Sequence, residues 1–291
     1  MSVSVRRMES GDVDGVAAVV SAANEAQMRE LGEEYTPPTP EQQKQFSRGT
    51  QRFIDEDSDG AWVALDGDTV VGMGEAIRRD WFWGLSMLFV HPDAQSQGVG
   101  RLLIDRTLEY AEDATVRMIM TSPDPRALRR YSLAGLDIHP AVEASGVVDR
   151  SAIPHDLRGR EGSADDLDLV DEVDMALLGR SRRDDVAFAM DGVGGSMDVV
   201  DDQHGRGFVL LRKAHVTILG ATDDATAAAL LWRALARAGE EKASLYCLTA
   251  AQDWAVKVCL AARLKVVGAG PLFVSGMDHP PGPWIPSGWY F

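Results

Sequence analysis

Segments with helical and strand-like patterns alternate along this chain, and that alternation limits it to folds that combine both elements. Residues 3–8 predict a strand, and Asp12 can cap a following helix whose apolar residues recur at helical spacing. Residues 25–40 are acidic and then proline-rich, which predicts an irregular connection before a second helix over 41–56. Residues 61–65 and 69–77 are predicted to pair as a β-hairpin around the turn residues Asp66-Gly67. Residues 85–90 are predicted to form the next strand.

A second block repeats this order. Residues 155–166 lose apolar periodicity and predict a linker. Strands are predicted at 208–211, 215–219 and 245–248, with a helix at 225–238. Shifting the sequence by 128 positions sets residues 86–136 over 214–264 without a gap. We therefore predict an α/β (mixed α+β) protein of two duplicated domains, 1–150 and 151–291, each a central twisted mixed sheet flanked by helices.

Composition narrows the function. The 291 residues are 45% hydrophobic and 25% charged, which suits two globular domains. A formal net charge of −16 argues against binding to nucleic acid or to an anionic membrane. The chain has two cysteines, and it shows neither a targeting segment nor an apolar run that would span a bilayer. These features predict a cytoplasmic protein, either a monomer or a homodimer.

The most informative segment is LSMLFVHPDAQSQGVGRLLIDRTLEYA, residues 85–111. It resembles the acetyl-CoA motif of the GNAT acetyltransferase superfamily, in which a strand ending Leu-x-Val-x-Pro precedes Gln or Arg, two residues, Gly, one residue, and Gly or Ala. Leu88, Val90 and Pro92, followed by Gln95, Gly98 and Gly100, meet every position of that pattern. The resemblance extends over about residues 1–148 and implies acetyl-CoA as co-substrate, with no metal.

The pattern has a physical reason. The first turn of a helix leaves about four backbone N–H groups unpaired, and these can bind a pyrophosphate. Glycines at 98 and 100 remove β-carbons that would hold the diphosphate away. The residues predicted to bind the cofactor here are Leu88, Phe89, Val90, Gln95, Ser96, Gln97, Gly98, Val99, Gly100 and Arg101. The resemblance also implies that the strand 85–90 separates from its neighbour at 115–120, so that its backbone pairs with pantetheine.

A second match is DPRALRRYSLAGL, residues 124–136, which resembles the family's next helix, where Asn-x-x-Ala-x-x-x-Tyr precedes Gly-Phe. Ala127, Tyr131 and Gly135 match, whereas Asp124 replaces the usual Asn and Leu136 the usual Phe. The resemblance implies that Asp124 and Ala127 contact the cofactor and that Tyr131 protonates the departing thiolate. A phenol suits this task because its ordinary pKa near 10 keeps it protonated at neutral pH.

The general base and the acceptor are less defined. Glu75, Asp80 and His91 are candidate bases, with Glu75 preferred, and a water relay or the C-terminal carboxylate of Phe291 are alternatives. The acceptor is predicted to be a primary amine, on a small molecule or a protein lysine. Its pocket is expected in loops that carry the residues Glu33, Glu34, Tyr35, Trp81 and Trp83.

The second domain departs from the motif. At the 128-residue shift, Gln95, Gly98 and Gly100 fall on Asp223, Thr226 and Ala228, so carboxylates replace a phosphate-binding surface. Cys259 falls on Tyr131 and is interpreted as a buried structural thiol. The sequence therefore predicts one acetyl-CoA site and an N-acetyltransferase. The rival interpretation is a catalytically idle acetyl-CoA-binding or regulatory protein.

Overall fold

The computed structural model describes residues 3–32 and 34–289, and it describes Leu31 by its backbone alone. The helices are α1 (Val13–Leu31), α2 (Pro40–Glu56), α3 (Val99–Glu109), α4 (Pro125–Leu133), α5 (Leu167–Leu178), α6 (Arg183–Asp191), α7 (Asp224–Arg237) and α8 (Asp253–Ala261). The strands are β1 (Val3–Arg7), β2 (Ala61–Asp66), β3 (Thr69–Arg79), β4 (Phe82–Val90), β5 (Val116–Met120), β6 (Asp137–His139), β7 (Val142–Val147), β8 (Arg160–Glu161), β9 (Ser196–Asp202), β10 (Gly205–Arg212), β11 (His215–Ala221), β12 (Lys242–Leu248), β13 (Lys265–Gly268), β14 (Leu272–Ser275) and β15 (Trp284–Ile285).

The chain divides by contacts into two compact units, residues 1–117 and 118–291. In the first unit β1, β2, β3 and β4 pair in sequence order, and every pair is antiparallel. The predicted hairpin is confirmed, because β2 and β3 turn at Gly67, whose φ of +61° is a left-handed conformation that glycine adopts without strain. The core includes Ala64, Val71 and Leu103.

The predicted irregular connection at 25–40 is wrong over its first part. α1 continues to Leu31 and ends where Gly32 takes a left-handed φ of +70°. An ion pair between Arg29 and Glu25, one helical turn apart, supports this extension. The prolines do not end α1; they lie at the end of the connection, where Thr39 caps α2 and Pro40 occupies the first turn of α2.

The second unit contains a sheet in the order β13, β7, β12, β11, β10, β9, β8, with β15 added to β11. β11 and β12 are parallel, whereas the neighbouring pairs are antiparallel, so the sheet is mixed. β14 pairs with β6 in another sheet. The residues predicted as a linker include β8, which pairs with β9. Two apolar clusters form the core, one around Leu230 and Leu245 and the other around Val173 and Phe208.

The order of elements repeats along the chain. A short strand, two helices, three strands, a helix, a strand, a helix and two strands run from β1 to β7 and again from β8 to β14. The predicted mixed α/β class is therefore confirmed. Residues 118–150 group by contact with the C-terminal part of the chain, because β7 lies between β12 and β13 and β14 pairs with β6. The predicted domain boundary at residue 150 stays a prediction.

Candidate functional site

The loop between β4 and α3 contains the glycine motif. A short 3₁₀ helix, Pro92–Ala94, follows β4, and α3 begins at Val99 with Gly98 as its N-cap. Gly98 has a φ of +89°, and Ser96 also takes a positive φ of +62°. A β-carbon on Gly98 would meet no atom within 4 Å. Gly98 is therefore required by its left-handed backbone, which other residues adopt only with strain.

A row of backbone N–H groups is left unpaired at this loop. Within the part of the chain that the structure describes, no acceptor is found for the N–H groups of residues 96–100. The first turn of α3 contains no acidic residue. Ser96, Gln97 and Gly98 are exposed to solvent. The positive end of the helix dipole and several free donors thus face solvent together, which is the arrangement that binds phosphate.

α3 is held in place by a close approach to β3. A β-carbon on Gly72 would lie 2.9 Å from Leu103 Cδ1 and 3.1 Å from Val99 Cγ1, and one on Gly74 would lie 3.2 Å from Thr107 Cγ2. Val99, Leu103, Ile104 and Thr107 form the buried face of the helix. Sequence reasoning did not assign Gly72 or Gly74 a role. Their spacing of two residues in a strand, which puts both on one face, was the available signal.

The second half of β4 lies beside the loop and is only half-buried. Leu88, Phe89 and Val90 pair with Gly74, Met73 and Gly72 of β3. The Gln95 side chain donates to the Val90 carbonyl at 3.1 Å and so ties the loop to the end of the strand. The pairing shifts where Glu75 faces Met87 and Ala76 faces Leu85, which leaves Ser86 as a β-bulge. The predicted separation of this strand from its neighbour stays a prediction.

Glu75, the preferred base, lies on β3 with no exposed surface. Neither carboxyl oxygen has a hydrogen-bond partner in the described part of the chain. Burial raises the pKa of this carboxyl to about 8. Glu75 is thus an uncharged acid at neutral pH, and it can act as a base only when water or an acceptor reaches it.

The other candidate bases lie elsewhere. Asp80 occupies the turn between β3 and β4 with a φ of +52°. His91 caps the 3₁₀ helix, where its Nδ1 accepts from the Asp93 N–H at 3.3 Å. Phe291, whose carboxylate was an alternative, lies outside the described residues, as does Glu33.

Tyr131 lies on α4 in the second compact unit, together with Asp124 and Ala127. The Tyr131 side chain packs edge-on against Phe273, with ring centroids 5.6 Å apart, and the residue is 4% exposed. Burial raises the pKa of its hydroxyl to about 12, with Thr121 opposing, so the hydroxyl is protonated at neutral pH. Asp124 caps α4 by accepting from the Arg126 N–H at 2.8 Å and also pairs with the Arg126 guanidinium.

The predicted acceptor loops give a mixed result. Trp83 is fully buried in the core of the first unit, so it does not line an open pocket. Tyr35 lines an open cavity of about 470 Å³ with Ser21, Glu25 and Pro37, and its hydroxyl lies 2.8 Å from Ser21 Oγ. Arg29 already pairs with the Glu25 carboxylate in this cavity. The side chains that define an acceptor stay a prediction.

The helix start that corresponds to the glycine loop in the second unit is closed. Asp223 caps α7 and accepts from the Thr226 N–H at 2.8 Å and from the Thr226 hydroxyl at 2.8 Å. Burial would raise the pKa of Asp223, but these hydrogen bonds outweigh it and hold the pKa below its usual value. Cys259 is free and buried, and burial raises its pKa to about 12, as expected for a structural thiol.

Residues 3–32 and 34–289 contain no group of three or more His, Cys, Asp or Glu placed to hold a metal ion. None of the helices described is long and apolar enough to cross a membrane.

Comparison with known families identifies the class of the first part of the chain. Residues 22–136 match the sequence model of the acetyltransferase (GNAT) family. The predicted resemblance is confirmed over residues 22–136, the part that matches the GNAT acetyltransferase family. Members of this family are acyltransferases that bind acetyl-CoA. A search of curated protein sequences finds no significant match.

Solved structures extend the fold likeness over nearly the whole chain. A putative acetyltransferase from Pyrococcus horikoshii is 15% identical, covers 99% of this chain and 95% of its own, and has a TM-score of 0.78. A GCN5-related N-acetyltransferase from Sphaerobacter thermophilus is also 15% identical, with coverages of 95% and 98% and a TM-score of 0.61. A tandem GNAT protein from the clavulanic acid biosynthesis pathway is 16% identical, with coverages of 96% and 100% and a TM-score of 0.60. The fold is the tandem GNAT fold.

Proposed function

We propose that this protein is an N-acetyltransferase that transfers the acetyl group of acetyl-CoA directly to a primary amine, on a small molecule or a lysine. The observation that supports it most is the row of unpaired N–H groups at residues 96–100, ahead of a helix that carries no acid in its first turn. This surface suits the pyrophosphate of coenzyme A. Leu88, Phe89, Val90 and Arg101 adjoin it along the chain and would contact the remainder of the cofactor.

The proposed reaction is a single displacement. The acceptor nitrogen bonds to the thioester carbonyl carbon, the carbon–sulfur bond breaks, and the sulfur leaves as a thiolate. The nitrogen loses a proton to a base, and the thiolate takes a proton from the hydroxyl of Tyr131, whose raised pKa keeps it protonated beforehand. Glu75 is the proposed base through a water, once its pocket opens to the acceptor. These roles rest on the family pattern and on the chemistry of each residue.

The rival is an idle acetyl-CoA-binding or regulatory protein. The buried position of Tyr131 against Phe273 is the observation in its favour, because an aromatic residue there could serve packing alone. Turnover separates the two functions, whereas binding of acetyl-CoA does not.

Calorimetry with acetyl-CoA tests the loop. Gly98→Glu places a carboxylate beside the free N–H groups, so affinity should fall by at least about tenfold through charge repulsion and masking of the donors. Gly67→Glu is the matched control, because Gly67 has a φ of +61° and open space around it but lies in the β2–β3 turn. An equal loss of affinity in both variants would mean that backbone strain, and not the position of the carboxylate, causes the effect. An unchanged affinity in Gly98→Glu would reject the loop as the phosphate site.

A further inference from the structure

The second unit contains a cavity of about 140 Å³ that the proposed acetyl transfer does not use. It lies along the middle of β11, at residues 216–218. β12 bridges β11 at His215, and β15 bridges it at Leu219 and Gly220. Within the described chain neither strand bridges residues 216–218, so the cavity occupies a gap between two neighbours of one strand.

The floor and walls of this gap are apolar. Val193, Leu210 and Ile218 line it and belong to a buried core cluster, against which Trp289 also packs. Thr217 is a β-bulge residue at this point, because Leu211 pairs with Val216 and Leu210 with Ile218. Its hydroxyl donates to the Leu210 carbonyl at 2.9 Å. The cavity therefore accepts a compact apolar body about the size of a six-membered ring.

One side of the cavity carries a hydrogen-bond acceptor. His215 Nδ1 lies 3.0 Å from the Ser244 carbonyl oxygen and 3.0 Å from the Ser244 hydroxyl. The hydroxyl can donate or accept, whereas the carbonyl only accepts, so the contact with the carbonyl assigns the proton to Nδ1. Burial lowers the pKa of the ring, with Arg212 adding to the effect, so the imidazole is neutral at neutral pH. Nε2 then has a free lone pair, and no partner for it is found among the residues that the structure describes.

Arg212 supplies a positive charge at the same place. It lines the cavity and is exposed, and it makes no ion pair within the described ranges. Most arginines of the second unit are paired, for example Arg158, Arg160 and Arg206. In a chain with a net charge of −16, an unpaired guanidinium beside a cavity is a local site for an anion. The Tyr246 ring, 5.1 Å from the His215 ring, also lines the cavity.

We propose that this cavity binds a small apolar carboxylic acid that carries one N–H or O–H donor. The carboxylate pairs with Arg212, the donor bonds to His215 Nε2, and the apolar body lies on Leu210 and Ile218. The site lies wholly in the second unit, so it is separate from the glycine loop that the proposed acetyl-CoA binding uses.

The test measures binding of 4-hydroxybenzoate and L-leucine to the full chain by calorimetry and ligand-observed NMR. At least one acid should bind saturably, and 4-hydroxybenzamide, which lacks the charge, should bind at least about tenfold more weakly than 4-hydroxybenzoate. Arg212→Gln should weaken binding of the acid by a similar factor. Lys213→Gln is the control. It removes one positive charge at the residue next to Arg212, and Lys213 does not line the cavity.

His215→Asn tests the second contact, because an asparagine amide can replace Nδ1 towards Ser244 but offers nothing at the place of Nε2. His215→Asn should weaken binding of the acid, whereas Gly98→Glu should leave the affinity for the acid unchanged. The proposal is overturned if neither acid binds, or if Arg212→Gln and Lys213→Gln bind the acids equally well.

Discussion

At the scale of single residues, the proposed acetyl transfer depends on Tyr131 and Glu75, and burial shifts the pKa values of both in the same direction. Burial raises the pKa of both groups and keeps both protonated at neutral pH. For Tyr131 this is the state that a proton donor needs. For Glu75 it is the opposite of the state that a base needs, so its proposed role requires a change in its surroundings during turnover.

Tyr131→Phe removes one hydroxyl and keeps the ring that packs on Phe273. The affinity for acetyl-CoA should stay within a few-fold, because packing is preserved. With an acceptor that supports turnover, kcat should fall by about 10² to 10⁴, the usual loss for a general acid. Steady-state kinetics on the natural chain and on Tyr131→Phe measures this change. An unchanged kcat would mean that Tyr131 serves packing and is not the general acid.

Glu75→Gln should change how stability depends on pH. The folded protein holds this carboxyl protonated up to about pH 8, whereas an unfolded chain ionises it near 4.5. As pH rises between these values, the unfolded state loses a proton that the folded state keeps, so this group lowers the free energy of unfolding. The slope is on the order of 1 kcal/mol per pH unit.

The glutamine variant lacks this dependence. Its free energy of unfolding relative to the natural chain should therefore rise from pH 5 to pH 8 in urea titrations. A constant difference across that range would mean that Glu75 is not held protonated. In kinetics, a base that titrates near 8 makes kcat/KM rise through that pH, and Glu75→Gln should abolish the rise.

At the scale of elements, the sequence predicted the pieces near the site better than those farther along the chain. The hairpin, α2 and the helix after the glycine loop follow from local signals such as Gly67, Thr39 and Gly98. α1 was predicted too short, because an acidic segment was interpreted as a loop when its Glu25 pairs with Arg29. β14 and β15 depend on partners that are distant in sequence, and no local pattern reveals such partners.

β15 has a role that only the structure reveals. β15 pairs with β11 at Leu219 and Gly220, beyond His215, where β12 bridges β11. Just before β15, the carbonyls of Pro281 and Gly282 accept hydrogen bonds of 2.7 Å from the side chains of Gln252 and Trp254. Trp284 is buried there at 1% exposure. β15 thus covers β11 at Leu219 and Gly220, just beyond Val216 and Ile218, which correspond to Leu88 and Val90 of β4 at the 128-residue shift.

Trp284→Ala should lower the free energy of unfolding by about 3–5 kcal/mol, the usual cost of emptying a buried aromatic site. Leu260→Ala is the control, because Leu260 is an exposed apolar residue and should change stability little. Denaturant titration compares the two variants. Acetyl-CoA should still bind once per chain to Trp284→Ala, because Asp223 still closes the start of α7. A second binding event would show that β15 alone blocks that site.

At the scale of the whole molecule, one order of elements occurs twice, and the two copies differ at the start of the helix that follows their third central strand: among the described residues, the first copy leaves backbone donors unpaired there and the second does not. In that copy Gly98 takes a left-handed conformation and residues 96–100 offer free N–H groups. In the second copy Asp223 occupies the corresponding donors with its own carboxylate. The motif at 95–100 made this difference predictable from sequence, because glycines and carboxylates have opposite effects on an anion. The acceptor was not predictable, since loop side chains such as Trp83 can pack in a core as easily as line a pocket.

The measurement that tests the central claim most directly is release of free coenzyme A from acetyl-CoA in the presence of a broad panel of primary amines, with mass spectrometry of each amine. At least one amine should gain a single acetyl group in step with thiol release, and Gly98→Glu should lose this activity while Gly67→Glu keeps it. If acetyl-CoA binds to the loop but no amine on the panel, small molecule or lysine peptide, is ever acetylated above the uncatalysed rate, the transferase account is contradicted and the chain is an acetyl-CoA binder.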